Sequence, residues 1–252
     1  MSRNSLDAEG YCAEVFHSVQ GEGLYVGVLQ IFIRTAGCSL SCNYCDTVRA
    51  QERVAECLVR VGGHTHTFSN PVSAATLIPL VTDIERDIGG IHSVSLTGGE
   101  PLEQAEFVTS LIHGIRPMYL PVYLETNGLS VEAAKQVAPL VDIVSLDIKL
   151  PSLCGGGDLF PVYERVLPLF GRDELFCKIV IADGFEHTEF SEAVRLLSRY
   201  NDRIPLVIQP ATETAGCRTV DTKTLLECYH EAVGELDHVR IIPQCHHLLN
   251  LP

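Results

Sequence analysis

The 252-residue chain has no tryptophan and only two methionines, so its aromatic packing falls to nine phenylalanines and eight tyrosines. It is also short of positive charge. Eighteen lysines and arginines face 32 aspartates and glutamates, for a formal charge of −14. That balance argues against nucleic acid as a partner, since a phosphate-backbone footprint needs a net positive face. No apolar run approaches the ~18 residues of a membrane span, so no membrane partner is expected. The opening MSRNSLDAEG carries no apolar stretch of the kind a secretory signal needs. Cysteine is plentiful, with ten in the chain. Yet Cys12, Cys57, Cys154, Cys177, Cys217, Cys228 and Cys245 lack the paired spacing of a disulfide framework. They read as small buried hydrophobes in a reducing compartment, the cytoplasm.

The remaining three, Cys38, Cys42 and Cys45, fall within eight residues in the string CSLSCNYC. Three close thiols cannot all pair with one another, and a tetrahedral zinc site wants a fourth ligand nearby. A cubane iron–sulfur cluster held by three cysteines leaves one iron open. An open iron is what S-adenosylmethionine (SAM) needs to be bound and cleaved reductively. The spacing favours the cluster, with zinc as the alternative.

Apolar runs alternate with helical patterns along most of the chain. VLQIFIR (28–34) reads as a buried strand leading into the cysteine loop. SAATLIPLVTDIERDI (73–88) reads as a helix capped by Ser73 and ended by Gly89-Gly90. HSVSL (92–96), PVYLE (121–125), DIVSLDI (142–148), LFCKIVI (175–181), PLVIQ (205–209) and HVRII (238–242) read as strands. Helical stretches separate them: 103–115, one near 130–138, one carrying Phe190, Val194 and Leu197 on a single face, and 221–235. About six parallel βα units follow, predicting one α/β domain over 1–252 built as a partial, open TIM-like barrel. Function collects at the C-terminal ends of such strands. The cysteine loop, Gly98-Gly99-Glu100, Glu125-Thr126-Asn127 and Gln209-Pro210 all lie there. The segment 48–70, with Gly62-Gly63-His64-Thr65-His66, breaks the rhythm. It is expected as an excursion from the cluster loop, with its two histidines solvated.

CxxxCxxC after a strand, followed by the Gly98–Pro101 turn GGEP, resembles the radical SAM superfamily. There, a glycine turn offers backbone groups to the amino group of SAM's methionine part. A narrower match is carried by FHSVQGEG (16–23), IFIRTAGC (31–38), CDT (45–47) and RIIPQCHH (240–247). These stretches resemble the 7-carboxy-7-deazaguanine synthase family, which belongs to the pathway to queuosine and related deazapurines. The resemblance implies a radical SAM carbon–nitrogen lyase with a [4Fe–4S] cluster on Cys38, Cys42 and Cys45. It further implies SAM cleavage to a 5′-deoxyadenosyl radical and hydrogen abstraction at C6 of 6-carboxy-5,6,7,8-tetrahydropterin. Ring contraction with loss of ammonia then gives 7-carboxy-7-deazaguanine, with SAM regenerated. Mg2+, an electron donor such as a flavodoxin, and a homodimer belong to the same picture.

Roles carry over residue by residue. Thr47 offers a hard oxygen to Mg2+, with Asp46 holding one of the ion's waters; a plain loop cap is the alternative. Val19, Gln20, Gly21, Glu22 and Thr97 are implied at the pterin, the Gln20–Glu22 run meeting its guanidine-like edge. Arg34 is implied to clamp the substrate carboxylate bidentately, the alternative being a structural ion pair. SAM is implied to contact Tyr44, Cys45, Asp46, Gly99, Glu100, Ser145, Asp147, Lys149 and the turn Gln209, Pro210, Ala211, Thr212. Tyr44 stands where the family often has tryptophan and would pack on adenine. The SLDIK string at 145–149 aligns less clearly with the family's version. No residue stands out as acid or base, and His246 and His247 are candidates to line the pocket. The tail 244–252 is expected to fold over the barrel mouth, packed down by Leu248, Leu249 and Leu251. That would bring the α-carboxylate of Pro252 toward the pterin.

Two other readings share some of these features. A radical SAM activase, which places a glycyl radical on a partner protein, can carry CxxxCxxC but does not need Gln20-Gly21-Glu22 or Arg34. A non-catalytic iron–sulfur or zinc module would not cleave SAM.

Overall fold

The computed structural model describes residues 6–155, 157–171, 174–214, 216–249 and 251. The strands are β1 (Glu9–Gly10), β2 (Cys12–Val19), β3 (Leu29–Thr35), β4 (Glu56–Val61), β5 (His64–Ser69) and β6 (Val72–Ser73). They continue with β7 (Ser93–Gly98), β8 (Val122–Thr126), β9 (Ile143–Asp147), β10 (Leu175–Ile181), β11 (Leu206–Pro210) and β12 (Val239–Ile241). The helices are α1 (Val48–Gln51), α2 (Ala74–Ile88), α3 (Ala105–Ile115), α4 (Val131–Val137) and α5 (Pro151–Cys154). After them come α6 (Phe160–Val166), α7 (His187–Tyr200), α8 (Thr222–Val233) and α9 (Cys245–Leu249).

Ten strands form one sheet in the order β12-β11-β10-β9-β8-β7-β3-β2-β4-β5. From β3 through β12 the neighbours pair in parallel. β12 and β5 end the sheet unpaired with each other, so the barrel is open. β10 is buried at every position, which is why it reads as an unbroken apolar run: helices cover one face and the barrel interior the other. α2, α3, α4 and α8 lie within one or two residues of the helices expected from the sequence, whereas α1, α5, α6 and α9 fall outside the expected helical stretches. The Ser73 hydroxyl accepts the Thr76 N–H at 3.2 Å to cap α2, and Asp221 accepts the Thr224 N–H at 2.7 Å to cap α8. Phe190, Val194 and Leu197 are the buried face of α7.

Two elements differ from expectation. The segment 48–70 extends the main sheet instead of standing apart: α1 leads into the hairpin β4–β5, and β4 pairs with β2. His64 and His66 are solvent-exposed, as expected, on the edge strand β5. The second difference is β2 itself, an unforeseen strand antiparallel to β3 with Cys12, Ala13, Val15 and Phe16 buried.

The period of two along the parallel strands sorts the barrel's contents. Val122, Leu124, Val144, Cys177, Leu206 and Ile208 join the main core under the helices. Their neighbours Tyr123, Ile143, Phe176 and Val207 form a second apolar cluster with Leu24, Tyr25 and Ile242. The Tyr25 ring meets Tyr123 edge-on at 5.6 Å. This cluster is the floor of the barrel interior.

Candidate active site

Two residues beyond that floor on the same four strands, the inward positions are Glu125, Ser145, Lys178 and Gln209. All four line a cavity of about 580 Å³. Sheet register sets them side by side: Glu125 lies opposite Ser145, and Lys178 opposite Asp147. On the neighbouring strands Arg34 lies opposite both Thr97 and Glu14, bringing β2 and β3 to the same rim.

The cysteine loop closes one wall of this cavity. The Cys38 N–H donates to Gln51 O and the Gly37 N–H to Ala50 O, both at 2.9 Å, so α1 pins the loop back onto its own base. Cys38, Cys42 and Cys45 are half-buried at the cavity, and none of the ten cysteines is in a disulfide. The Cys42 thiol is lowered to about 7 by its hydrogen bond with Cys154, with burial opposing and the Lys149 charge assisting. Burial pushes the Cys38 thiol up to about 11. Three free thiols on one loop, facing a cavity, suit a cluster that keeps one iron for an exogenous ligand.

Opposite the cysteines the cavity offers polar atoms that no described residue satisfies. Asp147 Oδ1 and Gln209 Oε1 are both buried without a hydrogen-bond partner. Buried acceptors are normally paired, so these two fit a polar ligand such as SAM. Gly99 matters by close approach. A Cβ there would fall on the carbonyl oxygens of Gly37 and Ala50, the latter 2.6 Å away, so the turn can pack under the cysteine loop only as glycine.

A chain of charges runs along the floor of the site. Lys178 is ion-paired to Glu22 and lies 3.5 Å from Asp147, which pairs with Lys149 at 2.7 Å. Burial disfavours the Lys178 ammonium, but Asp147, Glu22 and Glu125 outweigh it and keep the group protonated. Burial likewise works against the Asp147 anion, and Lys149 with Lys178 still holds its carboxyl below the ordinary value. Glu125 titrates above its ordinary value because burial dominates; it accepts from Gln20 Nε2 at 2.8 Å and Thr97 Oγ1 at 3.0 Å.

The structure sorts the residues singled out from sequence. Val19, Gln20, Gly21, Glu22, Arg34, Thr97, Tyr44, Cys45, Asp46, Thr47, Gly99, Glu100, Ser145, Asp147, Lys149 and Gln209 all line the cavity. Several do something other than expected. The Gln20 amide is used up within the protein: Nε2 donates to Gln30 and Glu125, and Oε1 accepts the Glu22 N–H. Gln20 therefore positions the Glu125 carboxylate and the Glu22 backbone instead of reaching for a ligand. Gly21 is required because a Cβ would collide with the His246 ring. Arg34 is in part the ion pair that was its alternative reading, Nε sitting 3.0 Å from Glu14. Its Nη atoms have no hydrogen bond among the described residues. The Glu100 carboxylate is committed to Leu102 N, Thr126 Oγ1 and Asn127 N at 2.5–2.8 Å, fastening the β7 turn to the end of β8. Tyr44 lies under the Lys149 ammonium, 5.2 Å from the ring centroid, with its hydroxyl 3.3 Å from Cys154 Sγ.

Pro210, Ala211 and Thr212 do not line the cavity. Thr212 acts one step removed, donating to Gln244 Oε1 at 2.6 Å. Of the tail, α9 places His246 and His247 in the lining, and Leu251 joins them. Leu248 and Leu249, expected to pack it down, are 75% and 59% exposed. Hydrogen bonds hold the tail instead, from Cys245 N to Gly21 O and from Gln244 Nε2 to both Glu22 and Asp46. Pro252 lies outside the described residues. Sequence reasoning missed Lys178 and Gln244, and it named Glu125 only as part of a rim turn. A lone lysine inside the apolar run LFCKIVI was the available signal for the first.

An open parallel barrel with a three-cysteine loop at the C-terminal ends of its strands defines a radical SAM enzyme. A radical SAM methyltransferase from Sphaerobacter thermophilus shares the fold, with a TM-score of 0.57 and 13% identity over 92% of this chain and 77% of that one. The crystal structure of QueE from Escherichia coli superposes with a TM-score of 0.59 and 20% identity, covering 94% of this chain and 95% of that one. Residues 19–150 match the model of the 4Fe-4S single cluster domain. The 7-carboxy-7-deazaguanine synthase of Geobacter sulfurreducens is 38% identical over 94% of this chain and 95% of its own length. The chain belongs to the 7-carboxy-7-deazaguanine synthase family.

Proposed function

We propose that the protein binds 6-carboxy-5,6,7,8-tetrahydropterin in this cavity and converts it to 7-carboxy-7-deazaguanine with loss of ammonia. The cluster and SAM, bound together, supply the radical chemistry that starts at C6 of the pterin. Everything else falls to the chain's own groups. Asp147 Oδ1 and Gln209 Oε1 accept from SAM hydroxyl or amino groups, and Tyr44 packs beside them. Arg34, held by Glu14 through Nε, turns its remaining N–H groups to the substrate carboxylate. Glu125, oriented by Gln20, and Glu22, oriented by Gln244, accept from the N–H groups of the pterin's guanidine-like edge. Lys178 pairs with Glu22 and fixes its direction. Thr47 and Asp46 present hard oxygens at the end of the cysteine loop, suited to a Mg2+ that retains most of its waters.

One observation carries the reading: the cysteine loop, Asp147, Gln209, Arg34 and the Glu22–Glu125 pair line one cavity of about 580 Å³. The family resemblance supports a homodimer and a small electron carrier such as a flavodoxin. Ten free thiols support a reducing compartment, the cytoplasm. No described helix is long and apolar enough to cross a membrane. The test is incubation of reconstituted protein with the carboxytetrahydropterin, SAM, Mg2+ and reductant, with the product identified by mass. Formation of the deazaguanine and ammonia is expected. SAM cleavage with no change in the pterin would overturn the assignment.

A further inference from the structure

Asp46, His246 and His247 come together from opposite ends of the chain, with one ligating atom of each within 4.8 Å of the others. The Asp46 carboxylate lies 3.6 Å from His246 Nε2 and 3.8 Å from His247 Nε2, and the two imidazole rings sit 4.2 Å apart. In a tetrahedral zinc site with bonds of about 2.0–2.2 Å, ligand atoms stand about 3.3–3.5 Å apart. The two Asp46–histidine distances stand only a few tenths of an ångström beyond that spacing. All three residues face the cavity, leaving the fourth position open toward it. We propose that Asp46, His246 and His247 form a site for a borderline transition-metal ion of the Zn2+ class, which shares Asp46 with the oxygen-only site suited to Mg2+ but takes its other ligands from the tail.

The donor set decides the class of ion. Imidazole favours Zn2+, Fe2+, Co2+ or Ni2+, while Mg2+ takes oxygen and keeps its water. Three protein ligands and one open position match the pattern of open zinc sites. The consequence follows from the connections already described. Asp46 sits in the cysteine loop, and the two histidines sit in the tail, where they line the cavity. An ion bridging them ties the tail to the loop and occupies the carboxylate that would otherwise serve Mg2+ and its water. Zn2+ therefore binds the enzyme at the pterin entrance and competes with substrate. This last consequence rests on the proposed function; the binding itself does not.

The experiment uses full-length, cluster-loaded protein, so that Cys38, Cys42 and Cys45 are occupied, dialysed against buffered ZnCl2 with zinc and iron measured together. About one zinc per chain with unchanged iron is expected for the parent. Asp46→Asn and His247→Ala should each weaken zinc binding roughly tenfold or more, at least the cost of losing a metal's outer-shell partner. His247→Gln replaces His247→Ala if the latter fails to load its cluster. Cys245→Ser removes the neighbouring half-buried thiol and should keep the zinc. No zinc in the parent, zinc gained only as iron is lost, equal affinity in the Asp46 and His247 variants, or loss in Cys245→Ser overturns the proposal. None of these readouts depends on turnover, so they stand whatever substrate the enzyme takes.

Discussion

Gln244 Nε2 donates to Glu22 Oε1 at 2.7 Å, joining residues 222 positions apart. The same amide reaches Asp46 Oδ2 at 2.7 Å, and its oxygen accepts from Thr212. One side chain thus ties the tail to the loop after β2, the cysteine loop and the β11 turn. Gln244→Ala should leave two carboxylates short of a donor, a loss of about 1–3 kcal/mol. It should raise KM for the pterin roughly tenfold, about 1.4 kcal/mol, while SAM affinity changes little. Steady-state kinetics and SAM titration check this, and an unchanged KM would remove the tail from the site.

Replacing Cys38, Cys42 and Cys45 together by alanine should abolish the visible charge-transfer absorption and the iron. The unmodified protein should bind about four irons per chain. Appreciably more iron would mean a second cluster held by other cysteines.

Thr47 Oγ1 makes one hydrogen-bond contact among the described residues, with Cys45 Sγ at 3.6 Å. Thr47→Ala should raise the Mg2+ concentration needed for half-maximal turnover and leave iron content as it was. Equal Mg2+ dependence in the two proteins would exclude the hydroxyl as a ligand.

Glu100 is 3% exposed, and burial pushes its carboxyl up to about 7 despite the hydrogen bonds from Thr126, Asn127 and Leu102. The folded chain then holds this proton up to near pH 7, whereas the unfolded chain releases it near its ordinary value of 4.5. Between those values the folded state binds more protons, so stability falls as pH rises, by on the order of 2–3 kcal/mol across the window. Glu100→Gln should flatten that slope. Denaturant midpoints of both proteins from pH 4.5 to 7.5 test it, and parallel curves would refute it.

Much of the barrel was legible because parallel strands covered on both faces must be apolar throughout, as in LFCKIVI. The hairpin β4–β5 escaped because HTHTFS, on an exposed edge, carries no apolar alternation. Its Gly62-Gly63 connection between two extended runs was the hairpin signal that went unused. β2 went unrecognised because both of its neighbours come from sequence-distant or antiparallel pairings that no local pattern announces.

The site divides in the same way. The three-cysteine loop and the glycine turn can be read directly, because a metal or a tight turn demands particular residue types at short spacing. Strand period also determines that Lys178 and Gln209 face inward once Phe176 and Val207 do. What only the tertiary structure decided is which polar atoms remain free. Gln20 and Glu100, apparent ligand residues, have their hydrogen bonds satisfied by Glu125, Gln30 and Thr126, while Asp147 Oδ1 and Gln209 Oε1 are left unmatched. Likewise the sequence offers His246, His247 and Asp46 only as separate candidates, and the tail's crossing of the cysteine loop brings them within 4.8 Å of one another. Hydrogen-bond satisfaction and metal geometry depend on distances between strands and loops far apart in the chain, and only packing sets those distances.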